Sequence, residues 1–297
     1  MNVSEPVRAR VCAPPPWEAA DFMLSSPLPP LWTRIDLMTA QPAPPPLNRQ
    51  LVLVTGGARG LGAAITQAFL REGACVVINY FQSESAAHAL AATAPARALA
   101  VCADVRDPQA VTQMLAQAQA HFGSAVTTIV NNALPSFTFN GDARPHADTL
   151  TWAAVQQQME GSVRATLNTT QAALPGMRAQ GCGRIITIGS NLFQNPVVPY
   201  HDYTAAKAAL LSLTRTLSQD LGPDGITVNM VSGGLLRTTD ASSATPEAVF
   251  DYIAANTPLR AVTTPAQLAD AVLFFASPWS RGVTGQNLVV DGGLVKN

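Results

Sequence analysis

The sequence predicts one doubly wound α/β domain: a mostly parallel seven-stranded sheet with helices on both faces. Three observations point there. From Gln50 onward, short apolar runs alternate with stretches of helical length. A glycine-rich turn follows the first apolar run and opens the first helical stretch. The connections between successive strands are long enough for crossover helices, which parallel strands need and hairpins do not. Right-handed crossovers then put helices on both faces.

The elements follow in order. Residues 51–55 are a short apolar strand. Residues 60–72 read as a helix that Gly73 ends. Residues 75–80 are a second strand, rich in β-branched side chains. Residues 83–94 are helical, and 98–103 form strand three. Asp107 can cap a helix over 107–122, with Pro108 suited to its first turn. Strand four is 126–131. A long helix spans about 148–180, with Gly161 and Pro175 as places for its path to adjust. Strand five (184–189), a helix (203–221) and strand six (226–231) come next. Helices over 246–255 and 265–276 and a last strand over 287–290 complete the pattern.

Ahead of this domain, assigned to 47–297, residues 1–46 form a Pro-rich extension. It holds 11 of the chain's 23 prolines, which oppose helix and sheet, so disorder is expected. Its apolar residues, among them Trp17, Phe22 and Trp32, allow docking on a surface. Translation from Met38 is the plainer alternative. No basic segment followed by a continuous apolar run is present, so a signal peptide is not expected.

Composition narrows the function classes. Of 297 residues, 47% are hydrophobic and 12% charged, with a net charge of -1, which fits a compact globule without a nucleic-acid partner. No apolar run reaches the roughly 18 residues of a membrane span. Cys12, Cys75, Cys102 and Cys182 lack metal-ligand spacing and read as small buried thiols in a reducing cytoplasm; no metal site is expected.

Two motifs carry chemistry. The first is Thr55-Gly56-Gly57-Ala58-Arg59-Gly60-Leu61-Gly62, between strand one and the first helix. Glycines let the backbone turn sharply and approach a pyrophosphate, and the helix N-terminus offers free N–H groups. A plain tight turn is the bland alternative. The second is Tyr203 followed four residues later by Lys207, one of only two lysines in the chain. At that spacing the two share a helix face and can act on one ligand. A nearby ammonium is expected to lower the phenol below its usual pKa of about 10, suiting it to acid–base work.

The TGxxxGxG spacing, with Tyr203 and Lys207, resembles the short-chain dehydrogenase/reductase family over about residues 50–295, and more narrowly its 3-oxoacyl-acyl-carrier-protein reductases. The resemblance implies a Rossmann-like fold and an NAD(P)-dependent oxidoreductase. It makes Ser190, thirteen residues before Tyr203, the third catalytic residue, bonding the substrate oxygen. It assigns cofactor binding to Gly56, Arg59, Gly60, Leu61, Gly62, Asp104, Val105, Asn131, Tyr203, Lys207 and Thr238. NADP(H) is favoured over NAD(H). No acid ends strand two, which closes Asn79-Tyr80, and Arg59 is placed to attract a 2′-phosphate. Phe81 stands where many NADP-preferring relatives carry a second cation.

Three positions depart from the family. Leu134 stands where the family has a glycine, Ser162 replaces a water-holding asparagine, and Gly233 replaces a proline. Residues 236–258 are expected to form a substrate lid, with Pro196–Tyr200 a partly apolar wall. His201 lines the substrate mouth or is an ordinary helix-start histidine. The implied partners are a small-molecule or acyl-thioester substrate and further copies of the chain, as a dimer or homotetramer. A sugar, polyol or other secondary-alcohol dehydrogenase, and a weakly catalytic nucleotide sensor, are the alternatives.

Overall fold

The computed structural model describes residues 44–135 and 137–296. The Pro-rich extension up to residue 43, with Cys12 and Met38, lies outside the described residues.

Among the described residues there are seven strands: β1 (Leu51–Val54), β2 (Cys75–Tyr80), β3 (Ala98–Cys102), β4 (Thr128–Asn131), β5 (Gly183–Ser190), β6 (Ile226–Gly233) and β7 (Asn287–Val290). They form one sheet in the order β3-β2-β1-β4-β5-β6-β7, and every pairing is parallel. The order reverses between β1 and β4. The carboxyl ends of those two strands therefore flank the crevice where such sheets bind ligands.

The crossovers are helical. They are α1 (Gly60–Arg71), α2 (Glu84–Ala92), α3 (Pro108–Phe122), a long segment, α6 (His201–Leu221) and α8 (Pro265–Ala276), with α7 (Glu247–Asn256) in the excursion before α8. The long segment is α4 (Trp152–Met159), a π turn (Glu160–Arg164) and α5 (Ala165–Gln180). The adjustment falls at Gly161, as its position suggested. A side chain there would overlap the Pro135 ring. Pro175 stays inside α5. Asp107 caps α3 by accepting from Gln109 N at 2.8 Å. Gly123, with a φ of 72°, ends that helix.

Two core layers sandwich the sheet. Val52, Val54, Ile65, Phe69 and Leu268 belong to one, and Leu53, Met114, Ile129, Met177 and Ile185 to the other. β1 is buried on both faces, which explains its unbroken apolar run. Cys182 is buried, but Cys102 is exposed, correcting the expectation of a buried thiol. β3 is the edge strand, paired on one side only, and Cys102 is its last residue, opposite Tyr80 of β2. Among the described residues, no helix is long and apolar enough to cross a membrane.

Candidate active site

β1 delivers the chain to the glycine turn at the reversal point. Gly56 and Gly60 have φ values of 60° and 50°, which favour glycine. A Cβ on Gly62 would strike the Gly56 carbonyl, so only glycine lets α1 start this close to the turn. Arg59, at the N-cap of α1, makes no capping hydrogen bond through its side chain. The leading N–H groups of α1 are thus not capped by that side chain, as an anion site requires.

Asn79, at the buried end of β2, locks this turn. Its Oδ1 accepts from Gly56 N at 3.2 Å, and its Nδ2 donates to Ala103 O at 3.0 Å. Asn132 does the same from the β4 side: its Nδ2 donates to Thr55 O at 3.0 Å and Gly56 O at 3.2 Å. Thr55 Oγ1 accepts from Asn132 N and Ala133 N. These residues fix the shape of the glycine turn. Sequence reasoning passed over the Asn132 and Thr55 side chains, because their partners lie on other strands.

Arg59 pairs with Asp240 at 3.2 Å. Thr239 and Asp240 lie directly against Gly60, so the segment after β6 rests on the phosphate turn. Thr238 is exposed in that segment. Asp104 is held by Arg106, which donates from N and Nε at 2.9 Å and from Nη2 at 2.7 Å. Those bonds keep the Asp104 carboxyl below its usual range. Val105 is buried, and its carbonyl accepts from Asn168 Nδ2 at 3.0 Å. Asn131 Oδ1 accepts from Thr169 at 2.7 Å, while its buried Nδ2 has no partner among the described residues.

The catalytic candidates converge at the end of β5. Ser190 is its last residue, and its hydroxyl hydrogen-bonds to the Tyr203 phenol. Tyr203 and Lys207 are buried on α6, with Lys207 Nζ 5.6 Å from the centre of the tyrosine ring. Lys207 Nζ donates to Ile188 O at 2.7 Å. Burial pushes Lys207 down to about 8. It pushes Tyr203 up to about 12, against a smaller lowering by Ser190. This corrects the expected lowering of the phenol: desolvation of a buried phenolate outweighs a lysine whose ammonium is turned to a backbone carbonyl. Tyr203 is therefore held protonated at neutral pH.

Ser162 sits in the π turn, buried, its hydroxyl without a partner among the described residues. His201 opens α6 and is half-buried. Asn191, beside Ser190, donates to Asp291 at 2.9 Å, and Asp291 in turn accepts from Gly293 N, Leu294 N and Val295 N. That network anchors the mouth of the site to the turn after β7.

Residues 56–295 match the family model described as enoyl-(acyl carrier protein) reductase. A 3alpha-hydroxysteroid dehydrogenase of Mediterraneibacter gnavus is 34% identical over 251 residues, covering 83% of this chain and 97% of that protein. A 3-oxoacyl-[acyl-carrier-protein] reductase of Synechocystis sp. is 34% identical over 262 residues, covering 84% and 98%. Among solved structures, a short-chain dehydrogenase/reductase from Brucella melitensis, titled a glucose/ribitol dehydrogenase, superposes with a TM-score of 0.73. It is 28% identical and covers 84% of this chain and 98% of its own. With the glycine turn, the parallel sheet and this breadth of similarity, the chain belongs to the short-chain dehydrogenase/reductase family of oxidoreductases.

Proposed function

We propose that the chain is an NADP(H)-preferring oxidoreductase that reduces a ketone, with a 3-oxoacyl thioester as the reference substrate and Tyr203 as general acid and base. The observation that carries this is the convergence of Ser190, Tyr203 and Lys207 at the carboxyl end of β5, beside the glycine turn. The cradle fits a dinucleotide: Gly62 admits only glycine, and the first turn of α1 is uncapped by the Arg59 side chain. Arg59 at that helix start, with no acid among Asn79 and Tyr80 at the end of β2, supports the 2′-phosphate preference.

When bound, the reduced nicotinamide supplies the hydride. The chain's own residues handle the oxygen. Ser190 donates a hydrogen bond to the carbonyl and stabilises its developing charge. Tyr203, protonated below about pH 12, gives that oxygen its proton. Lys207 lies close enough to steady the phenolate left behind, and it is buried where its charge is little screened.

NADPH and NADH oxidation with a panel of 3-oxoacyl thioesters and ketones, beside Tyr203→Phe, tests this reading. NADPH-linked turnover that the variant loses by about 10²-fold or more supports it. Turnover unaffected by Tyr203→Phe overturns the role of the tyrosine. Turnover confined to sugars or alcohols in the oxidative direction replaces the ketone assignment.

A further inference from the structure

Three aromatic rings gather with the Tyr203 phenol into a cluster of four. Phe137 stacks on Tyr203 with centroids 4.5 Å apart and planes inclined by 19°. Phe139 meets Tyr203 edge-on at 5.8 Å and Tyr200 at 5.6 Å. Phe137 also meets Phe139 at 5.1 Å and Tyr200 at 5.3 Å. Only 6% of the chain is aromatic, so this gathering is not a by-product of composition.

Nor does the cluster build the core. None of the four rings belongs to either layer that packs the sheet. Phe137 and Phe139 are carried by the segment between β4 and α4, whose stretch from Phe139 to Arg144 is bonded to other parts of the mouth. Phe139 N donates to Ala241 O at 3.1 Å, Gly141 N to the Tyr200 hydroxyl at 2.8 Å, and Arg144 Nε to Pro199 O at 3.1 Å. Those bonds join it to the lid and to the segment before α6, not to the sheet.

Resting on the oxidoreductase reading above, we propose that the substrate carries a flat, apolar aryl or fused-ring body next to its reacting carbon. Phe137 and Phe139 recognise that body by stacking. A carbonyl oxygen held by Ser190 and Tyr203 puts the attached body against this wall. Aromatic rings attract one another beyond simple burial, in offset or edge-on arrangements at the centroid separations seen here. A linear acyl chain gains only burial from such a wall. A sugar gains less there, because phenylalanine rings offer its hydroxyls no partners.

The test separates this proposal from the activity it rests on. Binding of 1-tetralol and of its saturated counterpart 1-decalol to the NADPH-loaded protein is measured by calorimetry, a dead-end pair that needs no turnover. The flat alcohol is expected to bind about tenfold tighter, and Phe137→Leu to bring the ratio close to one. Phe137→Leu should then lower kcat/KM for tetralone more than for decalone, each ketone being compared with itself. NADPH affinity of the variant reports that it is folded. Equal affinity for the two alcohols, or a preference that Phe137→Leu leaves intact, overturns the proposal. A flat-ring preference in binding that Phe137→Leu removes, without turnover of either ketone, supports recognition of a flat ring by this wall and overturns the oxidoreductase reading instead.

Discussion

Arg59 and Asp240 lie 3.2 Å apart and join the phosphate turn to the segment after β6. Both side chains are more than 60% exposed, so the pair contributes under about 1 kcal/mol and is easily exchanged. A 2′-phosphate would compete with Asp240 for the same guanidinium. Asp240→Asn removes that competitor and its repulsion, and is expected to tighten NADPH binding by a few-fold while leaving NADH unchanged. Arg59→Ala should weaken NADPH selectively. Fluorescence titrations with both nucleotides decide it. If neither variant alters the ratio, Arg59 does not select the phosphate.

The buried lysine gives a pH dependence with a definite sign. Lys207 falls to about 8 in the folded protein, from about 10.5 when unfolded. Between those values the unfolded chain binds more protons, so stability rises with pH and the cost of a buried ammonium is relieved. Across pH 8 to 10 the gain is about 2–3 kcal/mol. Tyr203, raised to about 12, acts oppositely above pH 10, where the folded state holds the extra proton. Urea unfolding of wild type and Lys207→Met over pH 7–10 isolates the lysine's share. The wild-type curve should climb relative to the variant, and parallel curves would show that the ammonium is not buried at this cost.

Asn132 spans the crevice from the β4 side, with its amide donating to Thr55 and Gly56 carbonyls. Asn132→Ala leaves those acceptors without that donor and unlocks the turn. A loss of about 1–3 kcal/mol in unfolding free energy is expected. Weaker binding of both nucleotides should accompany it, unlike the selective effect at Arg59. Stability and nucleotide affinity both unchanged would remove Asn132 from the cradle.

The alternation of strands and helices and the Tyr203–Lys207 spacing rest on short-range patterns that a sequence displays directly, whereas Ser190 is picked out by the family resemblance. β1 is an uninterrupted apolar run because both its faces are covered, and Tyr203 and Lys207 share a helix face because they are four residues apart. What could not be read are the pairings made through space. Asn79 meets Gly56 across 23 residues, Asn191 meets Asp291 across 100, and Asp240 reaches Arg59 only once the segment after β6 folds back. The direction of the Tyr203 shift failed for the same reason. Charge proximity is visible as spacing along a helix, whereas desolvation depends on what the rest of the chain lays over the phenol. The convergence of Phe137, Phe139 and Tyr200 likewise has no periodic signature, since two of the three lie in a segment without regular structure.

Arg184 stands on β5 at the opposite end of the sheet, only 4% exposed. Its Nη1 donates to Gly183 O at 2.7 Å, its Nε has no partner, and among the described residues no carboxylate pairs with it. Burial accordingly pushes its pKa down. A buried guanidinium without a counter-charge costs free energy that its stem packing only partly offsets. Arg184→Met keeps the stem's length and apolar contacts while removing the charge. Its neighbours Thr127 and Thr128 keep bonds of their own, Thr127 to Leu51 O and Thr128 to Gln50. The variant is expected to be more stable by about 1–3 kcal/mol, with turnover unaffected because the site lies at the other end of the strand. Chemical denaturation of the two proteins measures it. A variant less stable than wild type would mean that the guanidinium has a partner that offsets its burial.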